Sequence, residues 1–162
     1  MFIRSTIRKG VKVNNKIDVD ALEIILDKKL FGFTKDIRIL FTYSSPITSS
    51  YTRSRENTVL EKIETYIEDG RNSFLVMGDL NGRTRTEEDY VRDNDDKHSP
   101  ICGIPFYVTD NQVTRNSRDD HAIDEQGKTI LELCKSNSLR ILNGRTVDDE
   151  FDTFTRYPKR KK

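Results

Sequence analysis

A chain of 162 residues with 34% hydrophobic and 34% charged side chains is long enough for one domain with a real core, but it has little apolar material to spare. Its 28 basic and 27 acidic residues leave a net charge of +1, which excludes a whole-molecule field that pulls the protein onto nucleic acid. Two cysteines, Cys102 and Cys134, lack the partner spacing of a zinc site and are too few for a disulfide framework, and no apolar run is long enough to span a bilayer. The first residues, MFIRSTIRKG, mix charges into the place where a secretory leader needs an apolar core. The expectation is a soluble, intracellular protein of a reducing compartment, nuclear or cytoplasmic, with no membrane partner.

In chain order, DALEIIL (20–26) and IRILFTY (37–43) are rich in β-branched and aromatic residues and read as antiparallel neighbours joined around Phe31-Gly32-Phe33. SSPITSSYT (44–52) reads as a loop leaving the sheet. From Arg53 to Asp69 the residues Val59, Leu60, Ile63 and Ile67 recur at helical spacing, with Gly70 as a stop. A strand at 73–77 follows at once, so 37–77 makes a strand, helix, strand crossover and the fold class is α/β. Residues 82–118 have no sustained period and read as a functional loop or a partly disordered one. Beyond them, Asp124 to Asn137 carries Ile130, Leu131, Leu133 and Cys134 on one helical face with Asp124 as cap, and LRIL (139–142) reads as a short strand. Cys134 falls in the apolar phase of that helix and is expected in the core.

FLVMGDLNGRT (74–84) carries the strongest chemical suggestion. Phe74 to Met77 is the pattern of a strand buried on both faces, and Gly78 ends the run. In open α/β sheets ligands bind outside the carboxyl ends of strands, where Asp79 and Asn81 would stand. The same residue types are common turn formers, so the motif by itself supports a turn as well as a site. Tyr43, ending the strand before it, reads equally as a core aromatic or as a ligand. The mixed-sign clusters RTRTEED and RDNDDK favour a solvated surface. Glu87-Glu88 and Asp95-Asp96 are carboxylate pairs of a kind that attracts hard cations but is usually just solvated, and no metal ligand is assigned to them. His98 and His121 read as exposed loop histidines. Lys159-Arg160-Lys161-Lys162 reads as a frayed basic terminus or a short phosphate-contacting or import element.

Taken together, VMGDLNGRTR, then RNSRDDHAIDEQGKTILELCKSNSLRILNGRT and FDTFTRY, with KGVKVNNKIDVDALEIILDKKLFGFTKDIRILFTYSSP upstream, resemble the endonuclease/exonuclease/phosphatase family. The likeness is greatest to the endonuclease-like domains of non-LTR retroelements of animals, and it runs over nearly the entire chain. It implies a partial four-layer α/β sandwich over residues 1–157, followed by a basic tail at 158–162. It also implies Mg²⁺-dependent hydrolysis of phosphodiester bonds, with DNA as partner. On the matching positions, Asp79 would orient or deprotonate water, Asn81 would contact the phosphate, and Tyr43 would reach the scissile phosphate. Attack on phosphorus needs a carboxylate beside water, and amide or phenol donors stabilise the charge that develops on the phosphoryl oxygens. Arg83 and Arg85 are the candidate nucleic-acid contacts.

The family's metal-binding Glu on an early strand and its S-D-H triplet near the end have no counterpart here, and VDDEFDTFT stands where the family commonly has G-D-x-x-G before an aromatic. Glu23 lies on a strand without the neighbours of the metal motif. The resemblance therefore implies a central fragment of the domain. Three outcomes follow from it: a nuclease, a non-catalytic remnant that binds nucleic acid or protein weakly, or an unstable fragment with exposed sheet edges.

Overall fold

The computed structural model describes residues 3–18, 20–53, 58–67, 73–91, 114–146 and 149, and it adds a strand that periodicity left unassigned. VKVNNKID forms β1 (Val11–Asp18), entered through a single 3₁₀ turn at Arg8–Gly10. β2 (Ala21–Leu26) returns beside it, and α1 (Lys28–Phe31) turns the chain toward β3 (Ile37–Tyr43). The carboxylate of Asp27 caps α1 by accepting from Lys29 and Leu30 N–H, and Gly32 closes it at φ +74°. A one-turn helix α2 (Ser50–Arg53) precedes α3 (Val59–Ile67), and β4 (Ser73–Asp79) follows. The sheet order is β1-β2-β3-β4, with the first two pairings antiparallel and β3·β4 parallel. The expected strand pair and the crossover are both present, and the fold is of the α/β class.

The long helix expected from Arg53 starts later. Thr58 and Glu61 form a capping box, Glu61 Oε2 accepting from Thr58 N–H at 2.8 Å and Thr58 Oγ1 from Glu61 N–H at 3.4 Å. Arg53 itself ends α2. The stop at Gly70 lies outside the described residues, as do Cys102, His98, Asp95-Asp96, FDTFTRY and the basic tail.

The two faces of the sheet differ sharply. One carries Leu40 and Thr42, both buried, together with Glu23, which is 2% exposed. Glu23 accepts from Arg38 Nε at 2.5 Å and from Asn14 Nδ2 at 3.0 Å, so its buried charge is paired and hydrogen-bonded. The Arg38 guanidinium lies over the rings of Tyr66 and Phe74, 5.7 and 5.6 Å from their centroids, and donates to the Tyr66 carbonyl. α3 therefore covers this face, burying Val59, Leu60 and Ile63. The opposite face is built of cross-strand apolar rows: Val13–Ile24–Ile39–Leu75 and Leu22–Phe41–Met77.

β4 departs from its expectation as a doubly buried strand. Among the described residues it has a neighbour on one side only, Phe74 to Val76 are half-buried, and Met77 is exposed. An edge strand is shielded by one partner strand instead of two. Gly78 also stays inside the strand instead of ending it.

The chain groups into two compact units, Met1–Asn81 and Gly82–Lys162. The second contains α4 (Glu125–Ser136), which starts at Asp124 as expected and buries Ile130, Leu131, Leu133 and Cys134. Burial first, and then the nearby Asp89 carboxylate, push the Cys134 thiol up to about 12. LRIL is not a strand. The N–H of Ile141 donates to Asp89 Oδ2 at 2.6 Å, so a carboxylate takes the donor that a ladder would need. Asp89 is fully buried and receives both Arg145 terminal nitrogens, Nη1 to Oδ2 at 2.6 Å and Nη2 to Oδ1 at 2.7 Å. This pins residues 141–145 to residue 89.

Burial alone would raise the Asp89 carboxyl, but the hydrogen bonds from Arg145 and Ile141, with the Arg145 charge, hold it below its ordinary 3.8. A depressed folded value means that the ionised group stabilises the fold above the unfolded value, and that this contribution is lost as pH falls through the folded one. Asp89→Asn is predicted to cost about 3–5 kcal/mol at neutral pH, since it strands a buried guanidinium. Urea denaturation from neutral pH to below 3.8 should show the wild type weakening with acid and the variant with a flatter profile. Equal stability of the two proteins at pH 7 would refute a structural role for the pair.

Candidate active site at the carboxyl ends of β3 and β4

Parallel pairing brings the carboxyl ends of two strands to the same edge of a sheet. Here the last register pair is Tyr43 opposite Asp79. The ladder runs one residue further, Ser44 N–H donating to the Asp79 carbonyl at 2.9 Å. Gly78, one residue before Asp79, has φ +140°, and a Cβ there would stand 1.8 Å from the Thr42 carbonyl oxygen. Only glycine lets β4 approach β3 so closely at this point.

Beyond the strand, Asn81 takes a left-handed conformation at φ +49° and its N–H donates to Asp79 Oδ1 at 3.0 Å. This is the Asx turn that Asp and Asn favour. The Asn81 side chain then donates from Nδ2 to the Ser44 carbonyl at 2.9 Å. The turn after β4 is thus tied to the turn after β3 by a side-chain amide. Asp79 remains exposed, and Tyr43 is 48% exposed, which answers the core-or-ligand question for Tyr43 against the core.

Two neighbours of Tyr43 had no distinguishing mark in the sequence. The Asp20 carbonyl accepts from Tyr43 N–H at 3.0 Å and from Thr42 Oγ1 at 3.2 Å, and its carboxylate accepts from the Tyr51 hydroxyl at 3.3 Å. Asp20 and Asp79 therefore flank Tyr43 on its two sides, about two strand spacings or ~10 Å apart along the sheet edge. An Asp just ahead of a strand is so common that only the register of β2 against β3 reveals it.

The structure thus brings Tyr43, Asp79 and Asn81 together in the first unit. Arg83 and Arg85 belong to the second. Arg83 is exposed, and its N–H donates to Asp124 Oδ1 at 3.1 Å, the same oxygen that accepts from Gly127 N–H at 2.7 Å to cap α4. Arg85 is exposed with φ +47°. Among the described residues one group has metal-ligand types in reach of one another, Asp119, Asp120 and His121, with all ligand atoms within 4.8 Å. The trio is consecutive in sequence. Asp119 Oδ1 accepts from His121 N–H at 3.1 Å and lies 2.8 Å from its Nδ1, the arrangement of a solvated turn. Desolvation alone would raise the Asp119 carboxyl, but the hydrogen bonds and charge of His121, with Arg83 further off, hold it below its ordinary value. Glu87 is exposed and Glu88 half-buried.

Chemically, the strand-end site offers an exposed carboxylate able to accept a proton from water and a phenol able to donate to an anionic oxygen. Its geometry depends on Gly78. Gly78→Ala is predicted to lose about 3 kcal/mol, the scale of forced strain at a special backbone conformation, or to open the β3·β4 ends. Thermal denaturation together with amide exchange at Ser44 checks this, and an unchanged midpoint with Ser44 still protected would refute it. No helix among the described residues is long and apolar enough to cross a membrane. Compared with protein-family models, curated proteins and solved structures, the chain matches none of them.

Proposed function

We propose that the chain carries a phosphodiester-hydrolysing site of the endonuclease/exonuclease/phosphatase type, on one sheet of a partial four-layer α/β sandwich. The observation that carries the reading is the Tyr43–Asp79 register pair, both members exposed, at the carboxyl ends of adjacent parallel strands. In this reading Asp79 orients the attacking water, and the Tyr43 hydroxyl donates to a non-bridging phosphoryl oxygen as charge develops there. Asn81 acts chiefly by holding Asp79, because its N–H goes to the Asp79 carboxylate and its amide nitrogen donates to Ser44. The substrate class is DNA, and a nuclear or cytoplasmic location follows from it.

Mg²⁺ is the cofactor that goes with this chemistry, and the residues at the strand ends fit a dedicated cation site poorly. Mg²⁺ asks for six oxygens in octahedral array and is commonly held by one or two carboxylates with substrate phosphates. Among the described residues the site presents Asp79 alone, since the Asp20 carboxylate accepts from Tyr51 and lies on the far side of Tyr43.

That shortage, together with an Asn81 amide engaged with Ser44, favours a second reading: a remnant of the fold that binds nucleic acid without cutting it. Conversion of supercoiled plasmid to nicked circles separates the two. The hydrolytic reading predicts nicking that requires Mg²⁺ and falls about 10²- to 10³-fold in Asp79→Ala, the scale of losing one group that stabilises a transition state. Folded wild-type protein that nicks no faster than Asp79→Ala would leave the binding reading.

A further inference from the structure

The loop that leaves β3 at Tyr43 comes back to the same sheet edge one turn of helix later. Ser49 N–H donates to the Pro46 carbonyl at 2.8 Å, and Ser49 Oγ accepts from Tyr51 N–H at 3.3 Å, so the loop is tied within itself before α2 begins. The Tyr51 hydroxyl then donates to Asp20 Oδ1 at 3.3 Å, and the Asp20 carbonyl accepts from Tyr43 N–H at 3.0 Å. Tyr51 is held at both its backbone and its ring tip. The residue is nevertheless 42% exposed, and with its hydroxyl engaged what it offers to solvent is chiefly ring. The reading of Asp79 and Tyr43 as the reacting edge gives this ring no part.

We infer that Tyr51 is a stacking platform for an unstacked nucleobase, so that the DNA this edge takes is single-stranded and not intact duplex. The inference rests on DNA as the substrate class and narrows it. Three arguments select a base as the occupant. First, the half-buried Asp20 carboxylate beside the ring opposes a phosphate by charge, whereas a base is neutral and has a π-face to lay on the ring. Second, a ring already fixed by its hydroxyl gives up little freedom when a base settles on it. Third, the reach is right: Asp20 stands about 10 Å from Asp79 along the edge, and a strand rising about 3.4 Å per stacked step covers that in a few nucleotides. In a duplex both faces of each base are already taken by its neighbours, so only an unstacked strand has a face to give. Stacking of this kind is tolerant of sequence.

Fluorescence anisotropy of the full chain at one fixed salt concentration, in EDTA so that no metal-dependent cleavage intervenes, tests this with three labelled DNAs. They are a single strand of about twelve nucleotides, the same strand in duplex, and the same length of abasic strand, which keeps the phosphates and removes the bases. The expected result is tightest binding to the ordinary single strand. Tyr51→Leu should weaken that binding about 5- to 150-fold, the range for one lost base–aromatic stack, and leave the abasic strand unchanged. Tyr51→Phe keeps the ring and should keep most of the affinity, and because the position is exposed, both variants should retain the wild-type far-UV circular dichroism. A wild type that prefers the duplex or binds the abasic strand equally well, or a Tyr51→Leu that binds as the wild type does, would overturn the inference and leave DNA as the partner. Folded wild type that binds none of the three would remove the DNA reading itself, and this inference with it.

Discussion

Two parallel strands cannot be joined by a tight turn, and most of the first unit follows from that constraint. The chain leaving β3 must cross over one face before it can run beside β3 again as β4. α3 is that crossover, started by the Thr58–Glu61 capping box and seated through Val59, Leu60 and Ile63. Because the crossover returns the chain in the same direction, Tyr43 and Asp79 finish side by side at one edge. An antiparallel return would have set the end of one strand beside the start of the other. The site is a product of topology before it is a product of any single residue.

Polar contacts tie the two strand ends together. Ser44 N–H donates to the Asp79 carbonyl, Asn81 reaches from the Asp79 carboxylate to the Ser44 carbonyl, and Gly78 supplies the close approach that keeps them in range. The same contacts set the chemical limits of the site. The Asn81 amide that donates to the Ser44 carbonyl commits that hydrogen to geometry, while Asp79 and Tyr43 stay exposed. The Asp20–Tyr51 contact on the far side of Tyr43 adds a second brace and no second free carboxylate.

Charge burial recurs in both units with the same logic. Glu23 with Arg38 in the first and Asp89 with Arg145 in the second are near-fully buried carboxylates that receive a guanidinium and at least one further hydrogen bond. Such pairs contribute little net stability over apolar packing of equal volume, yet losing one partner is costly, so they act as locks on a particular arrangement. The Asp89 lock holds LRIL in place as irregular chain. The Glu23 lock sits on the covered face of the sheet, which leaves the apolar rows on the other.

Local pattern in the sequence was enough for the strands at 20–26 and 37–43, for the crossover, and for α4 with its Asp124 cap and buried Cys134, because period, capping chemistry and turn residues act within a few positions. It also put Tyr43 at the end of one strand and Asp79 and Asn81 just past another, since the G-D-x-N string follows its own apolar run directly; in the structure Tyr43 and Asp79 are the last residues of β3 and β4, and Asn81 lies beyond. Only tertiary structure decided the rest. LRIL reads as a strand until Asp89, 52 residues away in sequence, takes its amide. Phe74 to Met77 read as doubly buried until the sheet order, among the described residues, leaves β4 with a neighbour on one side only. Asp20 and Tyr51 join the neighbourhood of Tyr43 through a register that no short window contains. Hydrophobic period reports which residues prefer to leave water, whereas the partner that receives them is set by contacts between segments far apart in the chain.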